Sequence, residues 1–205
     1  MTNLNRRTII LASTSPYRKQ LLAQLHVPFE TVDPNIDESP AKALSTNPAE
    51  LTQNLAEAKA KAVAALRPHD IIIGSDQCIS IDGKLLSKPK TTEAAIQQLT
   101  TLSGRTHKLV TAVCVLDAAS ELLDTTIVTH ELTMRSLSEE QIQRYIHVDQ
   151  PLDCAGSYKL ESLGVALFEG VSGPDPTSIV GLPLMSLVSM LARLGYDVFA
   201  SARRV

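Results

Sequence analysis

Ile71-Ile72-Ile73 is the most constraining stretch of this sequence. Three consecutive β-branched apolar residues put bulky side chains on both faces of a strand. Such a strand belongs in the interior of a sheet covered on both sides. It is expected to end at Gly74-Ser75-Asp76, where polar residues take over. Thr8 to Ala12 has a similar character and reads as a second buried strand. The polar turn Ser13-Thr14-Ser15-Pro16 follows, and its Ser-Pro pair has the form of an N-cap with proline at the first helical position.

The helix begun there is expected to reach about His26, with Leu21, Leu22 and Leu25 on its apolar face. Phe29 to Val32 reads as a strand. Asp33 to Pro48, with three prolines and the adjacent acids Asp37 and Glu38, reads as a long loop. Asn47-Pro48-Ala49-Glu50 starts a helix to about Leu66, along which Leu51, Leu55, Ala58 and Ala62 recur with helical spacing. Asp82-Gly83 signals a hairpin. Helices are expected from Thr91 to Leu102, from the capping box at Ser138 to about His147, and from Pro183 to Leu194. Strands are expected from Lys108 to Leu116 and from Leu123 to Met134. Strands alternate with helices early and form hairpins in the middle. The pattern points to an α/β protein with a mixed, curved sheet, flanking helices and a cleft, as one domain over residues 1–205.

Composition excludes several classes. The 205 residues carry 19 Lys+Arg against 22 Asp+Glu, a net charge of −3, with three Phe, four Tyr and no Trp. Neither a basic surface nor a base-stacking platform is encoded, so no nucleic-acid partner is expected. No apolar stretch approaches the roughly 20 residues of a membrane span. Arg6 and Arg7 are followed by only a short apolar segment, unlike a signal peptide, so a cytoplasmic protein is expected. Cys78, Cys114 and Cys154 are widely spaced and form no CxxC pair, which reads as small buried hydrophobes. The five histidines show no metal-ligand spacing.

Chemistry concentrates in a few segments. Ser13 to Lys19 is a hydroxyl-rich strand-to-helix turn with Arg18 and Lys19 in the first helical turn. It could cradle phosphates or be an ordinary capped helix. Asp76 follows the apolar strand, where open α/β sheets place ligands. It suits a divalent cation or a general base, with a turn aspartate as the alternative. Asp37-Glu38 are cation ligands or solvated loop charges. Lys88 can present an ammonium to phosphate oxygens, and Lys59 is either a second such cation or a solvent-facing helix lysine. No Walker A, GxGxxG, GxSxG or kinase motif occurs. Carboxylates and lysines without a nucleophile signature point to metal-assisted phosphate chemistry.

The same segments, in this order, resemble the Maf family of nucleoside-triphosphate pyrophosphatases. They are Leu11-Ala12-Ser13-Thr14-Ser15-Pro16, Asp37-Glu38, Ala58-Lys59-Ala60, Gly74-Ser75-Asp76 and Ser87-Lys88-Pro89, then Leu102 to His107, Ala155-Gly156-Ser157-Tyr158 and Val180-Gly181-Leu182-Pro183. The resemblance covers about residues 8 to 195. It implies a fold shared with inosine-triphosphate pyrophosphatases, two lobes around a nucleotide cleft. It also implies hydrolysis at the α-phosphorus with a divalent cation such as Mg2+ or Mn2+. Asp76 would accept the proton of the attacking water, and Glu38 would join it as a catalytic carboxylate and cation ligand. Lys59 and Lys88 would bind phosphate, and Ser13, Ser15 and Arg18 would line the phosphate cradle. The implied partner is a small-molecule nucleotide, with a homodimer left open.

Three positions separate subgroups of the family. Members hydrolysing dTTP and UTP carry Ser-Pro-Arg-Arg, a Thr after the catalytic Asp, and a Gln after the Ala-Gly-x-Tyr segment. This chain has Tyr17, Gln77 and Glu161 there. That combination resembles the subgroup acting on 7-methyl-GTP, whose aromatic is more often Trp. The chemistry agrees: N7-methylation makes guanine cationic, which favours an aromatic face, and a carboxylate can accept from N1–H and the exocyclic amine. Rival readings are a dTTP/UTP or broad-range pyrophosphatase, and a nucleotide-binding regulator of cell division.

Overall fold

The computed structural model describes residues 7–203, and Arg6 of the N-terminal basic pair lies outside them. The first half of the chain comprises β1 (Ile9–Ala12), α1 (Pro16–Ala23), β2 (Phe29–Val32), α2 (Ser39–Leu44), α3 (Pro48–Ala64), β3 (Ile71–Ile81) and β4 (Lys84–Leu86). Then come α4 (Thr92–Leu102), β5 (Thr106–Asp117), β6 (Leu122–Met134), α5 (Glu139–Asp149), β7 (Phe168–Ser172), α6 (Leu184–Arg193) and α7 (Val198–Ser201). Single 3-10 turns fall at Ala155–Ser157, Leu163–Leu167 and Pro176–Val180.

The strands make one mixed sheet in the order β2-β1-β3-β5-β6-β7, with β4 hairpinned onto β3. β1 runs parallel to both β2 and β3, and the other pairings are antiparallel. This is the expected α/β class with a mixed sheet and flanking helices. Period-two alternation splits the buried strand residues between two faces. Ile9, Leu11, Ile71 and Ile73 pack with Leu21 and Leu22 of α1 and Leu187 and Leu191 of α6. Ile10, Ala12 and Ile72 face the other way, onto Ala56, Ala60 and Val63 of α3. A further cluster, built from Ile79, Ile81, Leu109 and Leu132 with α4 and α5, fills the far end of the sheet. No described helix is long and apolar enough to cross a membrane.

The strand expected to stop at Gly74-Ser75-Asp76 instead runs to Ile81, because its ladder with β5 continues unbroken from Ile71↔Asp117 to Ser80↔Lys108. On its other edge the pairing is interrupted. β1 leaves after Leu11↔Ile73, and β4 joins only at Ile79↔Leu86. The intervening residues 74–78 therefore border a gap between the two ends of the sheet. Asp82 and Gly83 turn the hairpin with φ of 50° and 75°, the positive values a two-residue turn requires. The expected 33–48 loop contains α2, while β7 and α7 were not anticipated. α1 and α3 end at Ala23 and Ala64, slightly earlier than expected.

Candidate active site

The helices after β1 and before β3 lie on opposite faces of the sheet, so the carboxyl ends of these two parallel strands form a topological switch point. Open α/β sheets bind ligands there. A cleft of about 520 Å3 opens at this place. Ser13, Ser15, Tyr17, Arg18, Glu38, Lys59, Gln77, Lys88 and Glu161 line it. Asp76, the remaining candidate, is buried and reaches the cleft lining through its hydrogen bond with Lys59.

Lys59 is not a solvent-facing lysine. The buried face of α3 carries Leu55, Ala56, Lys59, Ala60 and Val63, whereas Ala58 and Ala62 of the expected repeat are only half-buried. Its ammonium donates to Asp76 Oδ1 at 2.6 Å and meets Glu38 Oε1 at 2.8 Å. Gly74 permits this approach. A Cβ there would stand 2.1 Å from the Ala56 carbonyl oxygen and 3.1 Å from Ala60 Cβ, so only glycine lets α3 lie this close to β3. Small residues on both elements thus bring the lysine over the strand. Glu38 arrives from the loop, as the residue preceding α2.

Two hard carboxylate donors therefore converge on one point. Among the described residues no third His, Cys, Asp or Glu joins them as a cluster. Magnesium-type cations on nucleotides are commonly held by one or two carboxylates completed by phosphate and water oxygens, and Glu38 with Asp76 fits that pattern.

The turn after β1 forms one wall. Ser13 is buried and its Oγ accepts from the Ser15 N–H at 3.1 Å, while Ser15 Oγ caps α1 by accepting from the Arg18 N–H. Arg18 is half-buried, and its Nε donates to the Gly181 carbonyl at 2.9 Å. Burial pulls the guanidinium below its ordinary value, while Asp76 and Glu38 draw it upward. Ser75 Oγ lies 2.8 Å from the same Gly181 carbonyl. Gly181 has φ of 113°, a conformation costly for any other residue, which explains the glycine in the Val180-Gly181-Leu182-Pro183 segment. Its carbonyl as an anchor for Arg18 was not legible, because backbone acceptors leave no residue-type signal.

Tyr17 and Glu161 both line the cleft. Tyr17 is half-buried, and burial raises its phenol above the ordinary value while the nearby Lys159 lowers it. Gln77 is engaged within the protein. Its amide donates to Thr111 Oγ1 at 2.9 Å and to the Ser178 and Ile179 carbonyls at 2.8 and 3.1 Å. Gln77 thus ties β3 to the 3-10 turn at Pro176–Val180, forming a wall rather than offering a loose polar group. Lys88 is exposed and follows β4. Sequence reading attached no role to Tyr158 or His107, yet Tyr158 lines the cleft and its hydroxyl lies 3.0 Å from His107 Nε2. Both fall in segments that carried the family resemblance.

The sequence profile of the Maf-like protein family matches residues 8–194, and the chain belongs to that family. A 7-methyl-GTP pyrophosphatase of Pseudomonas aeruginosa is 45% identical over 190 residues, covering 93% of this chain and 98% of that protein. One of Ralstonia nicotianae is 45% identical over 195 residues, covering 95% and 100%. One of Methylobacillus flagellatus is 44% identical over 190 residues, covering 93% and 98%. A solved HAM1 protein from Coxiella burnetii is similar with a TM-score of 0.42 and 14% identity, over 62% of this chain and 73% of that one.

Proposed function

We propose that this protein is a nucleoside-triphosphate pyrophosphatase that hydrolyses 7-methyl-GTP to 7-methyl-GMP and pyrophosphate, removing a modified nucleotide from the cytoplasmic pool. The observation that carries the reading is that Tyr17 and Glu161 line the same cleft as Glu38, Lys59 and Lys88. The names borne by relatives at 44–45% identity support it.

The chemistry follows from the constellation. A divalent cation held by Glu38 and Asp76 would offset charge on the triphosphate and polarise the α-phosphoryl group. Lys59 engages Asp76 through Oδ1, so the other carboxylate oxygen is the one assigned to take a proton from water. That water's oxygen bonds to the α-phosphorus, the bond to the β-phosphate's bridging oxygen breaks, and pyrophosphate departs. Lys59 and Lys88 add positive charge where the leaving group gains negative charge, a larger effect in a partly dry cleft than in bulk water. Ser13, Ser15 and Arg18 orient the phosphate chain on the end of α1. At the other end, Tyr17 presents an aromatic face to the cationic base and Glu161 accepts from its Watson–Crick edge. A panel of 7-methyl-GTP, GTP, UTP, CTP, dTTP and ITP, read by pyrophosphate release, tests this. Turnover favouring 7-methyl-GTP supports the reading, a pyrimidine preference returns the dTTP/UTP assignment, and binding without release favours a regulator.

A further inference from the structure

Gln77 interrupts an otherwise buried β3 and lines the cleft. It stands directly across from Thr111 of β5, so both side chains rise from the same face of the sheet. Thr111 and Ser178 are buried, and the Thr111 hydroxyl donates its single proton to the Ser178 carbonyl at 3.0 Å. Toward Gln77 that hydroxyl can therefore only accept. The Gln77 amide nitrogen meets it at 2.9 Å and meets the Ser178 and Ile179 carbonyls at 2.8 and 3.1 Å. Turned over, the amide would set its own oxygen against three acceptors. Its nitrogen is thus committed to the protein. Among the described residues no hydrogen bond falls on Gln77 Oε1, and that oxygen is the polar atom left for the cleft.

We propose that Thr111 is a positioning residue for base recognition, fixing the Gln77 amide so that the cleft meets an acceptor there and never a donor. The inference rests on the 7-methyl-GTP reading of the site. Ile79 and its cross-strand partner Leu109 line the cleft with Gln77, as does Ile179, and such an apolar wall suits a base rather than a phosphate. With the Glu161 carboxylate, the cleft then offers two acceptors. Guanine presents two neighbouring donors, N1–H and the exocyclic amine, and a cationic ring makes them stronger. Uracil presents one donor, N3–H, between two carbonyl oxygens. An amide free to turn could offer its N–H groups to either oxygen. A fixed one cannot, and the unpaired oxygens weaken binding of the pyrimidine. A glutamine by itself would not discriminate in this way, since its side chain both donates and accepts. The restraint from Thr111 supplies the direction.

The test compares Thr111→Val, which keeps the shape and loses the hydroxyl, with Thr111→Ser, which keeps the hydroxyl. Thr111→Val is expected to raise KM for 7-methyl-GTP about three- to tenfold, with kcat changed less than about twofold and UTP little affected. Thr111→Ser should stay within about twofold of the wild type on both substrates. Equal losses on 7-methyl-GTP and UTP, or no rescue by serine, overturn the proposal and leave Thr111 as a packing residue. A second measurement needs no substrate and no variant. In the free wild-type protein, NMR of the Gln77 side-chain amide should show solvent exchange at least about tenfold slower than for an exposed glutamine. Exchange at the exposed rate overturns the restraint. If the wild type does not prefer 7-methyl-GTP, the substrate reading fails, and the exchange rate alone then upholds or overturns the fixed amide.

Discussion

The Lys59 ammonium lies 2.6 Å from Asp76 Oδ1 and 2.8 Å from Glu38 Oε1, so one buried cation joins a helix, a strand interior and a loop. The pairing gives the buried Asp76 carboxylate a countercharge in the middle of β3. It also brings the two acids to one ammonium.

Asp76→Asn keeps the side chain's shape and removes the charge that serves as proton acceptor and cation ligand. Turnover is expected to fall at least about a hundredfold. The far-UV circular dichroism should match that of the wild type. Near-wild-type turnover would remove Asp76 from the mechanism.

Gly74→Ala tests how Lys59 gets there. The added Cβ would collide with the Ala56 carbonyl oxygen at 2.1 Å, forcing α3 away from β3. Overpacking of this kind costs about 1–3 kcal/mol, and displacement of Lys59 should lower turnover as well. Thermal melting and steady-state rates of the variant check both. A variant that melts and turns over like the wild type would show that the helix has room to spare.

The sequence carried most of this site but not its geometry. Ser13, Ser15, Arg18, Glu38, Lys59, Lys88, Gln77 and Glu161 were visible as residue types at turns and element ends, and they meet in one cleft. Asp76 was placed at a strand end, because Gly74 and Ser75 resemble a breaker. In the fold that glycine makes room for α3, and the strand continues to Ile81. Lys59 stays open in the sequence between a phosphate-binding cation and a solvent-facing lysine, because an alanine-rich helix fits several apolar faces equally well. β7 went unseen because only Phe168 of its five residues is buried, leaving no alternation to read. Contacts made by backbone carbonyls, such as Gly181 with Arg18, depend on tertiary approach that no local pattern encodes.

His107 should make stability fall with acid. Its ring is buried beside Tyr158 and Phe168, its Nδ1 has no hydrogen-bond partner, and burial pushes the imidazole down to about 4. Between that value and the ordinary value of about 6.5, the unfolded chain binds a proton that the folded chain refuses. Stability is therefore complete above about pH 6.5 and declines toward pH 4, by on the order of 3 kcal/mol from this group. Asp117 acts in a lower window. Its hydrogen bond with Arg7 holds it down to about 2, so its contribution is lost only as pH falls from about 4 toward that value. Denaturant titrations of wild type and His107→Gln at pH 7.5, 5.5 and 4.5 isolate the contribution of the histidine. A variant with the wild-type slope would contradict it.

The most direct measurement is kcat/KM for 7-methyl-GTP and for UTP, on the wild type and on the triple variant Tyr17→Arg, Gln77→Thr, Glu161→Gln. The wild type should favour 7-methyl-GTP. Replacing π attraction with repulsion is worth on the order of 1–2 kcal/mol, so the ratio should shift toward UTP by roughly five- to thirtyfold, with Glu161→Gln pushing the same way. Equal losses on both substrates, or a wild type that already favours UTP, would contradict the assignment of Tyr17 and Glu161 to a methylated guanine.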